Sequence, residues 1–383
     1  MRFYQHAWQS SANIPRLAGK ATDLTSAIQA AADILRMSEQ PLFAGLGTEV
    51  QGMRAILSLA KKTHASLDHM HAEATVRNTL AMQNSGWQTT TLTEVKNRAD
   101  VILAIGTDIV SSHPRFFEKL VWNEYSLFNK TSPEIIYLAL PSHLQADNLQ
   151  AGISPTGQKP SVIEADTAKL PEIINALNAL TNKRKLNEQQ VAGVTIEALQ
   201  GIVDKLQKAK YAVITWSASN FDYPHAELTV QSITQLIAKL NEHTRVAGLP
   251  LNAGDGDTSV NNANTWLTGY PTRSQFFAGQ ATYDSYYFSS HEQLKKSDAL
   301  LWVSTFNAHQ PPDCAANTIV IGQANMQFDK APAVFIPVGT PGLDHAGTMF
   351  RMDSSVVLPL KKLRDSQLPS LAQVIEQIEA LLT

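Results

Sequence analysis

Short apolar, β-branched runs that each give way to a helical period are what most constrain the fold of this chain. The pattern is plainest in DVILAIGTDIVSSHPR, residues 100–115: Val101, Ile102, Leu103 and Ile105 end at Gly106, a polar Thr107-Asp108 turn follows, and His113-Pro114-Arg115 lead into the apolar-periodic run Phe116–Val121. This reads as a buried strand, a loop and a helix start. In an open α/β sheet, ligands bind beyond the carboxyl ends of such strands. Gly106 would admit a close backbone approach and Arg115 could grip an anion, although an ordinary turn with a solvated arginine has the same local pattern.

The alternation recurs along the chain and predicts βαβ units with parallel sheets. Strands are expected at Pro41–Ala44, Ala65–Asp68, Asp100–Ile105, Glu134–Leu140 and Ser161–Glu164, with Thr48 capping the helix after the first. A helix with Pro171 in its first turn then presents Leu170, Ile173, Ile174, Leu177 and Leu180 on one face. Thr181–Gln190 is polar throughout and reads as a linker. Beyond it the pattern restarts, with a helix capped by Thr195, strands at Tyr211–Trp216 and Thr244–Ala247, and a helix at Ala226–Leu240 between them.

Residues 249–290 break the rhythm with Asn, Gly, Thr and aromatics, and are expected to form a long functional or interface loop. Strands resume at Ala299–Thr305, Thr318–Gly322 and Ala333–Pro337. An isolated strand, Val356–Pro359, and an amphipathic helix carrying Leu371, Val374, Ile375, Ile378 and Leu381 end the chain. The expected organisation is α/β: a first domain over 1–185, a second over 186–345, and a C-terminal strand and helix over 346–383 packing back on the core.

With 383 residues, 44% hydrophobic and 17% charged, the chain is globular and long enough for more than one core. A net charge of −3 and no basic block beyond Lys183-Arg184-Lys185 argue against nucleic acid as a main partner. No apolar run suits a membrane span and MRFYQHAWQSSANIPR has no signal-peptide core, so a cytoplasmic location is expected. The one cysteine, Cys314, excludes an internal disulfide, a four-cysteine iron–sulfur cluster and cysteine-rich zinc sites in this chain.

Local chemistry is otherwise ambiguous. Gly45-Leu46-Gly47 resembles half a dinucleotide fingerprint, but the next glycine, Gly52, is out of register. His69 and His71 at a strand end could share a metal, yet no spacing ties His113, His225, His309 or His345 to them, so no metal site is expected. There is no Gly-x-Ser-x-Gly elbow, and Cys314 has no CxxC or basic neighbour. Arg351 and Asp353, beside a glycine turn, either close over a polar ligand or form an internal salt link.

Three segments, ADVILAIGTDIVSSHPR, NAGDGDTSVNNANTWLTGYP and AGTMFRMDSSVVLPL, together resemble the B subunit of formylmethanofuran dehydrogenase, of the molybdopterin/tungstopterin oxidoreductase superfamily. The resemblance covers most of residues 41–360. It is nearest to the bacterial form found in methylotrophs, the B subunit of the formyltransferase/hydrolase complex. It implies two Rossmann-like parallel-sheet domains and a pterin pocket whose remnants are Gly106, Thr107, His113, Arg115, Arg351 and Asp353. The family's redox members need an N-terminal cysteine cluster and a thiolate on the pterin metal. Residues 1–40 contain no cysteine, and the ligand position falls near Ala74, with Arg77 three residues on. Soft Mo or W chemistry requires such a sulfur or a comparable ligand, and electrons need a relay.

The expectation is therefore a non-redox, non-catalytic subunit without Mo/W-pterin, iron–sulfur centre or catalytic residues of its own. Its complex would move a formyl group from formyl-tetrahydromethanopterin to a methanofuran-type carrier and release formate. Its partners would be an amidohydrolase-like hydrolase, a formyltransferase and a C subunit. Trp266, Tyr270, Phe276, Phe277, Tyr283, Tyr286, Tyr287 and Phe288 would serve assembly, unless that loop packs on its own domains. Arg54, Arg77, Arg115, Arg273 and Arg351 would form a track for a polyglutamate tail on the carrier. The alternatives are an active Mo/W-pterin dehydrogenase subunit and a free-standing nucleotide-binding α/β protein.

Overall fold

The computed structural model describes residues 14–128, 132–140 and 150–382. The N-terminal stretch considered for a signal peptide lies largely outside them. Two compact units are present, Met1–Ala72 with Gly254–Thr383, and Glu73–Ala253.

In chain order the elements begin with β1 (Arg16–Leu17), β2 (Lys20–Ala21), α1 (Leu24–Met37), β3 (Pro41–Gly47), α2 (Val50–Thr63) and β4 (Ser66–Leu67). Next come α3 (Ala72–Ser85), α4 (Leu92–Arg98), β5 (Val101–Ile105), the short α5 (Ile109–Ser112), a π-helical turn at Phe117–Val121, β6 (Glu134–Leu138), β7 (Ser161–Ile163) and α6 (Leu170–Thr181). A small hairpin, β8 (Gln190–Val191) and β9 (Val194–Thr195), precedes α7 (Ile196–Lys208), β10 (Ala212–Trp216), α8 (Ala226–Leu240) and β11 (Val246–Pro250). Then follow α9 (Asp257–Thr268), β12 (Ser274–Phe277), β13 (Gln280–Tyr283), the one-turn α10 (Ser290–Gln293), β14 (Ala299–Ser304), β15 (Asn317–Gln323) and β16 (Val334–Val338). The hairpin β17 (Gly347–Phe350) and β18 (Val357–Leu360) and the helix α11 (Leu371–Ala380) complete the described chain.

The unit of Glu73–Ala253 holds a five-stranded, all-parallel sheet in the order β11-β10-β5-β6-β7. Every residue of β5 and β10 is buried, as befits central parallel strands covered on both faces. Leu170, Ile173, Leu177, Leu199, Val203, Val230 and Ile233 from α6, α7 and α8 join them in one core.

The other unit holds a nine-stranded sheet ordered β13-β12-β4-β3-β14-β15-β16-β1-β2. Its middle strands, β4 to β16, are parallel, and antiparallel pairs finish both edges. The helix α11 packs on α2 and α1 through Leu371, Val374, Ile375 and Ile378, as the amphipathic period predicts.

Local sequence accounts for most helix starts. Asp23 caps α1, Thr195 caps α7, and capping boxes at Thr91/Glu94 and Ser370/Gln373 open α4 and α11. Pro171 sits in the first turn of α6, where its missing N–H costs nothing. The cap of α2 is Glu49, not Thr48: its carboxylate accepts from Gln51 N at 2.7 Å and Gly52 N at 2.8 Å.

Several expectations need correction. The units are not sequential: β3 and β4 pair with β12 and β14, while β5, β6 and β7 join β10 and β11. The boundaries drawn at 185/186 and 345/346 thus cut through both units, because periodicity reports strands but not which strands pair. For the same reason the polar stretch Thr181–Gln190 lies inside a unit and is no domain boundary. Residues 249–290 contain α9 and the β12–β13 hairpin, and are not one loop. The strand near Val356–Pro359 is paired with β17, not isolated. Gly45-Leu46 forms an irregularity within β3, both residues at positive φ, where the register against β14 shifts.

Candidate functional site

Each parallel sheet has a point where strand order reverses, and there the loops beyond the carboxyl ends part to leave a crevice. In the Glu73–Ala253 unit that point lies between β5 and β10, so Gly106 and Thr107 stand where the sequence placed them. Gly106 has φ +57, and its carbonyl accepts from Asn220 Nδ2 at 3.1 Å, which ties the two strand ends together. A Cβ at Gly106 would lie 2.7 Å from Leu170 Cδ1 and 2.9 Å from Phe221 Cε1, so apolar side chains crowd it. Thr107 is fully buried, with no hydrogen-bond partner for its hydroxyl among the described residues. Asp108 caps α5 through Val110 N at 3.0 Å. His113 Nε2 is 2.9 Å from Asn252 Oδ1.

The remaining pocket candidates are engaged locally. Arg115 is exposed and forms a two-pronged pair with Glu118, at 3.0 and 2.7 Å. That pairing holds the Glu118 carboxyl down at about 2, chiefly through the arginine's hydrogen bonds. Ala74, near the first turn of α3, is buried among the residues around β5 and α6. Arg77 donates to Ala218 O at 2.7 Å and lies 3.5 Å from Glu73.

In the other unit, Arg351 forms a two-pronged pair with the buried Asp353, at 2.9 and 2.7 Å, and reaches Ser355 Oγ at 2.8 Å. This is the internal salt link, not a free clamp. Arg273 donates to Ser285 O at 2.6 Å and sits 3.5 Å from the buried Asp68, and Arg54 reaches Gln51 at 3.2 Å. All five arginines of the supposed polyglutamate track therefore already hold partners.

The strongest convergence of polar side chains lies in the Met1–Ala72/Gly254–Thr383 unit, around its own reversal point between β3 and β14. His71 follows β4, His309 follows β14, and Asp255 lies in the Gly254-Asp255-Gly256 turn before α9. Both His71 Nε2 and His309 Nε2 approach Asp255 Oδ2, at 3.0 and 3.1 Å. Asn307 Nδ2 donates to the other oxygen, Oδ1, at 2.6 Å. The Asp255 side chain is only 5% exposed, His71 29% and His309 45%, so the group opens outward from its carboxylate. Burial alone would raise the Asp255 carboxyl, but hydrogen bonds from His71 and Asn307 and the nearby His309 hold it below the usual carboxylate range.

His69 does not belong to this group. Its Nδ1 accepts from His71 N at 3.0 Å, leaving the proton on Nε2, which faces Asp255 O at 3.3 Å. Full burial pushes this imidazole down to about 4 and keeps it neutral. Sequence alone points to His71 and names His309 without a link, and it misses Asp255 and Asn307. The only signal available was an aspartate between two glycines.

The residues at the implied pterin positions do not fit a molybdenum or tungsten centre. Such a metal takes a soft ligand, whereas Ala74 offers a methyl group. The lone thiol, Cys314, lies between β14 and β15 with its sulfur 3.6 Å from Thr318 Oγ1.

No family model matches the chain. Among curated proteins it is 27% identical over 344 residues to the Fhc B subunit of the formyltransferase/hydrolase complex of Methylorubrum extorquens, with 88% of each chain covered. It is 24% identical over 354 residues to the B subunit of the tungsten-containing formylmethanofuran dehydrogenase 2 of Methanococcus maripaludis, covering 90% of this chain and 80% of that one. The protein of the same name from Methanocaldococcus jannaschii is 24% identical over 356 residues, with the same coverage. Among solved structures, a chain of the Methylorubrum extorquens formyltransferase/hydrolase complex, crystallised with methylofuran, superposes with a TM-score of 0.80 at 25% identity. That match spans 96% of this chain and 98% of that one. With order, length and α/β fold all in agreement, the chain is a homologue of the B subunits of formylmethanofuran dehydrogenase and of the formyltransferase/hydrolase complex.

Proposed function

We propose that this chain is a cytoplasmic, non-redox and non-catalytic subunit of a formyltransferase/hydrolase complex. That complex transfers a formyl group from formyl-tetrahydromethanopterin to a methanofuran-type carrier and releases formate. The hydrolase and formyltransferase chemistry resides on partner subunits, and this chain supplies a scaffold built on the inherited pterin-enzyme fold. The observation that carries the reading is the near full-length likeness to the complex's B subunit, and it is supported by a buried methyl group at Ala74, the position near which the resemblance would put the redox members' metal-binding sulfur.

Three further features support it. Leu170 and Phe221 crowd Gly106, where the glycine would otherwise admit a ligand's close approach. Arg115 and Arg351, the cations that would face cofactor phosphates, are each neutralised by a carboxylate. Large apolar side chains stand in solvent at Trp266, Leu267, Phe277 and Tyr286, more than an isolated subunit needs and well suited to a protein partner. No helix among the described residues is long and apolar enough to cross a membrane.

The test is co-expression of the tagged chain with its hydrolase, formyltransferase and C-subunit partners, followed by elemental analysis of what co-purifies. A stable complex carrying no stoichiometric molybdenum or tungsten is the expected result. Stoichiometric Mo or W on this chain would establish the redox alternative. A monomer retaining bound nucleotide would establish the free-standing one.

A further inference from the structure

We infer that His71, Asp255 and His309 form a binding site for one divalent transition-metal cation of the zinc class. The assignment is independent of the subunit reading, since two imidazoles and a carboxylate can hold a first-row cation whatever role the chain has in a complex. Among the described residues this is the one group of three or more His, Cys, Asp or Glu side chains whose donor atoms all lie within 4.8 Å of one another.

Donor type comes first. Two imidazoles and one carboxylate suit Zn²⁺ and its first-row neighbours, whereas Ca²⁺ and Mg²⁺ prefer oxygen alone. Geometry agrees. Bonds of about 2.0–2.1 Å in a tetrahedral set place ligand atoms about 3.3 Å apart. The two nitrogen–oxygen separations, 3.0 and 3.1 Å, are within a few tenths of an ångström of that. The rings of His71 and His309 stand at 89° with centroids 6.1 Å apart, and each Nε2 lies within hydrogen-bond distance of the same oxygen, Asp255 Oδ2.

The surroundings prepare the site. Asn307 pins Asp255 Oδ1 and leaves Oδ2 turned toward the two rings, an outer partner of the kind that orients metal-bound carboxylates. Asp255 itself has φ +52 and lies between Gly254 at +108 and Gly256 at +76. A non-glycine residue in this region is strained and persists only because the surrounding fold holds it there. A Cβ on Gly256 would collide with Thr48 O, and one on Gly47 would meet Met70 Cε at 3.0 Å, so glycines let the backbone close around the carboxylate. The three ligands come from three distant points in the sequence, brought together beyond the carboxyl ends of β4 and β14. The exposed edges of His71 and His309 leave a path for the ion and a position for water.

On binding, each Nε2 lone pair turns to the cation and the ring proton moves to Nδ1, or leaves to solvent if the ring was charged. The site so formed has three protein ligands and one open position.

The experiment is calorimetric titration of the chelator-treated full-length chain with Zn²⁺, and separately with Co²⁺, followed by visible absorption. One equivalent per chain is expected, with a tetrahedral Co²⁺ spectrum and no response to Mg²⁺. His71→Ala and His309→Ala, shown folded by circular dichroism, should each weaken binding at least tenfold, and His225→Ala, at an exposed position elsewhere, should not. If the histidine variants fail to fold, the near-isosteric Asp255→Asn decides on the same tenfold criterion. Absence of stoichiometric binding to the folded wild type, or undiminished binding in the folded variants, would overturn the assignment.

Discussion

At the scale of single residues, Gly106 is held by two constraints at once. Its φ of +57 is costly for any residue with a Cβ, and that Cβ would press on Leu170 and Phe221 at under 3 Å. Gly106→Ala should therefore cost about 2–4 kcal/mol, about 1 from the backbone and the rest from overpacking. Gly193→Ala, at φ +85 with nothing within 4 Å, should lose only the backbone part. Urea unfolding of the two variants checks the difference, and equal losses would remove the packing argument. The glycine was visible in the sequence, but the crowding was not, because Leu170 and Phe221 arrive from far along the chain. Arg115 is the opposite case. Glu118 stands three residues on, so its exposed i,i+3 pair was open to reading from spacing alone.

Among the elements, α11 was legible because its apolar side chains repeat with helical period and Ser370/Gln373 mark its start. Ile375 is fully buried against the rest of its unit, so Ile375→Ala should destabilise the protein by about 2–5 kcal/mol. A denaturant midpoint unchanged from wild type would mean the helix is not docked in solution. The helix α9 was not legible, and its sequence explains why. Its buried face includes Ser259 and Asn264, residues that ordinarily mark loops. Ser259 Oγ accepts from Phe350 N at 2.9 Å. Asn264 Nδ2 donates to Tyr270 O, Pro271 O and Ser274 Oγ, at 2.9, 2.7 and 3.1 Å. A polar residue can face inward where the tertiary structure supplies its partners, and a hydrophobic period then fails to register. The hairpin β12–β13 escaped for a related reason: β12 is sandwiched between β4 and β13 and alternates buried Ser274 and Phe276 with more open Gln275 and Phe277.

For the whole molecule, the aromatics expected to serve assembly range from a buried class to a highly exposed class, with Tyr270 and Tyr287 between them. Phe276 and Phe288 are buried in their own unit, while Phe277, Tyr286 and Trp266 are more than 70% exposed. The expectation of an aromatic assembly surface therefore narrows to the second class. Phe277→Asp should leave the melting temperature of the isolated chain within about 2 °C of wild type, as an exposed substitution does. The same change should reduce recovery of partner subunits in co-purification, and full recovery would take Phe277 out of the interface. The chain's own pattern of apolar runs, caps and breaks was enough to determine that it is α/β, where most strands and long helices lie, and that it carries no sulfur at Ala74. Those properties depend on neighbours close in sequence, or on composition alone. Tertiary structure decided how the strands divide between the two large sheets, and that His71, Asp255 and His309 meet. Each of these rests on residues far apart in the chain, brought within bonding distance only when the parallel sheets close.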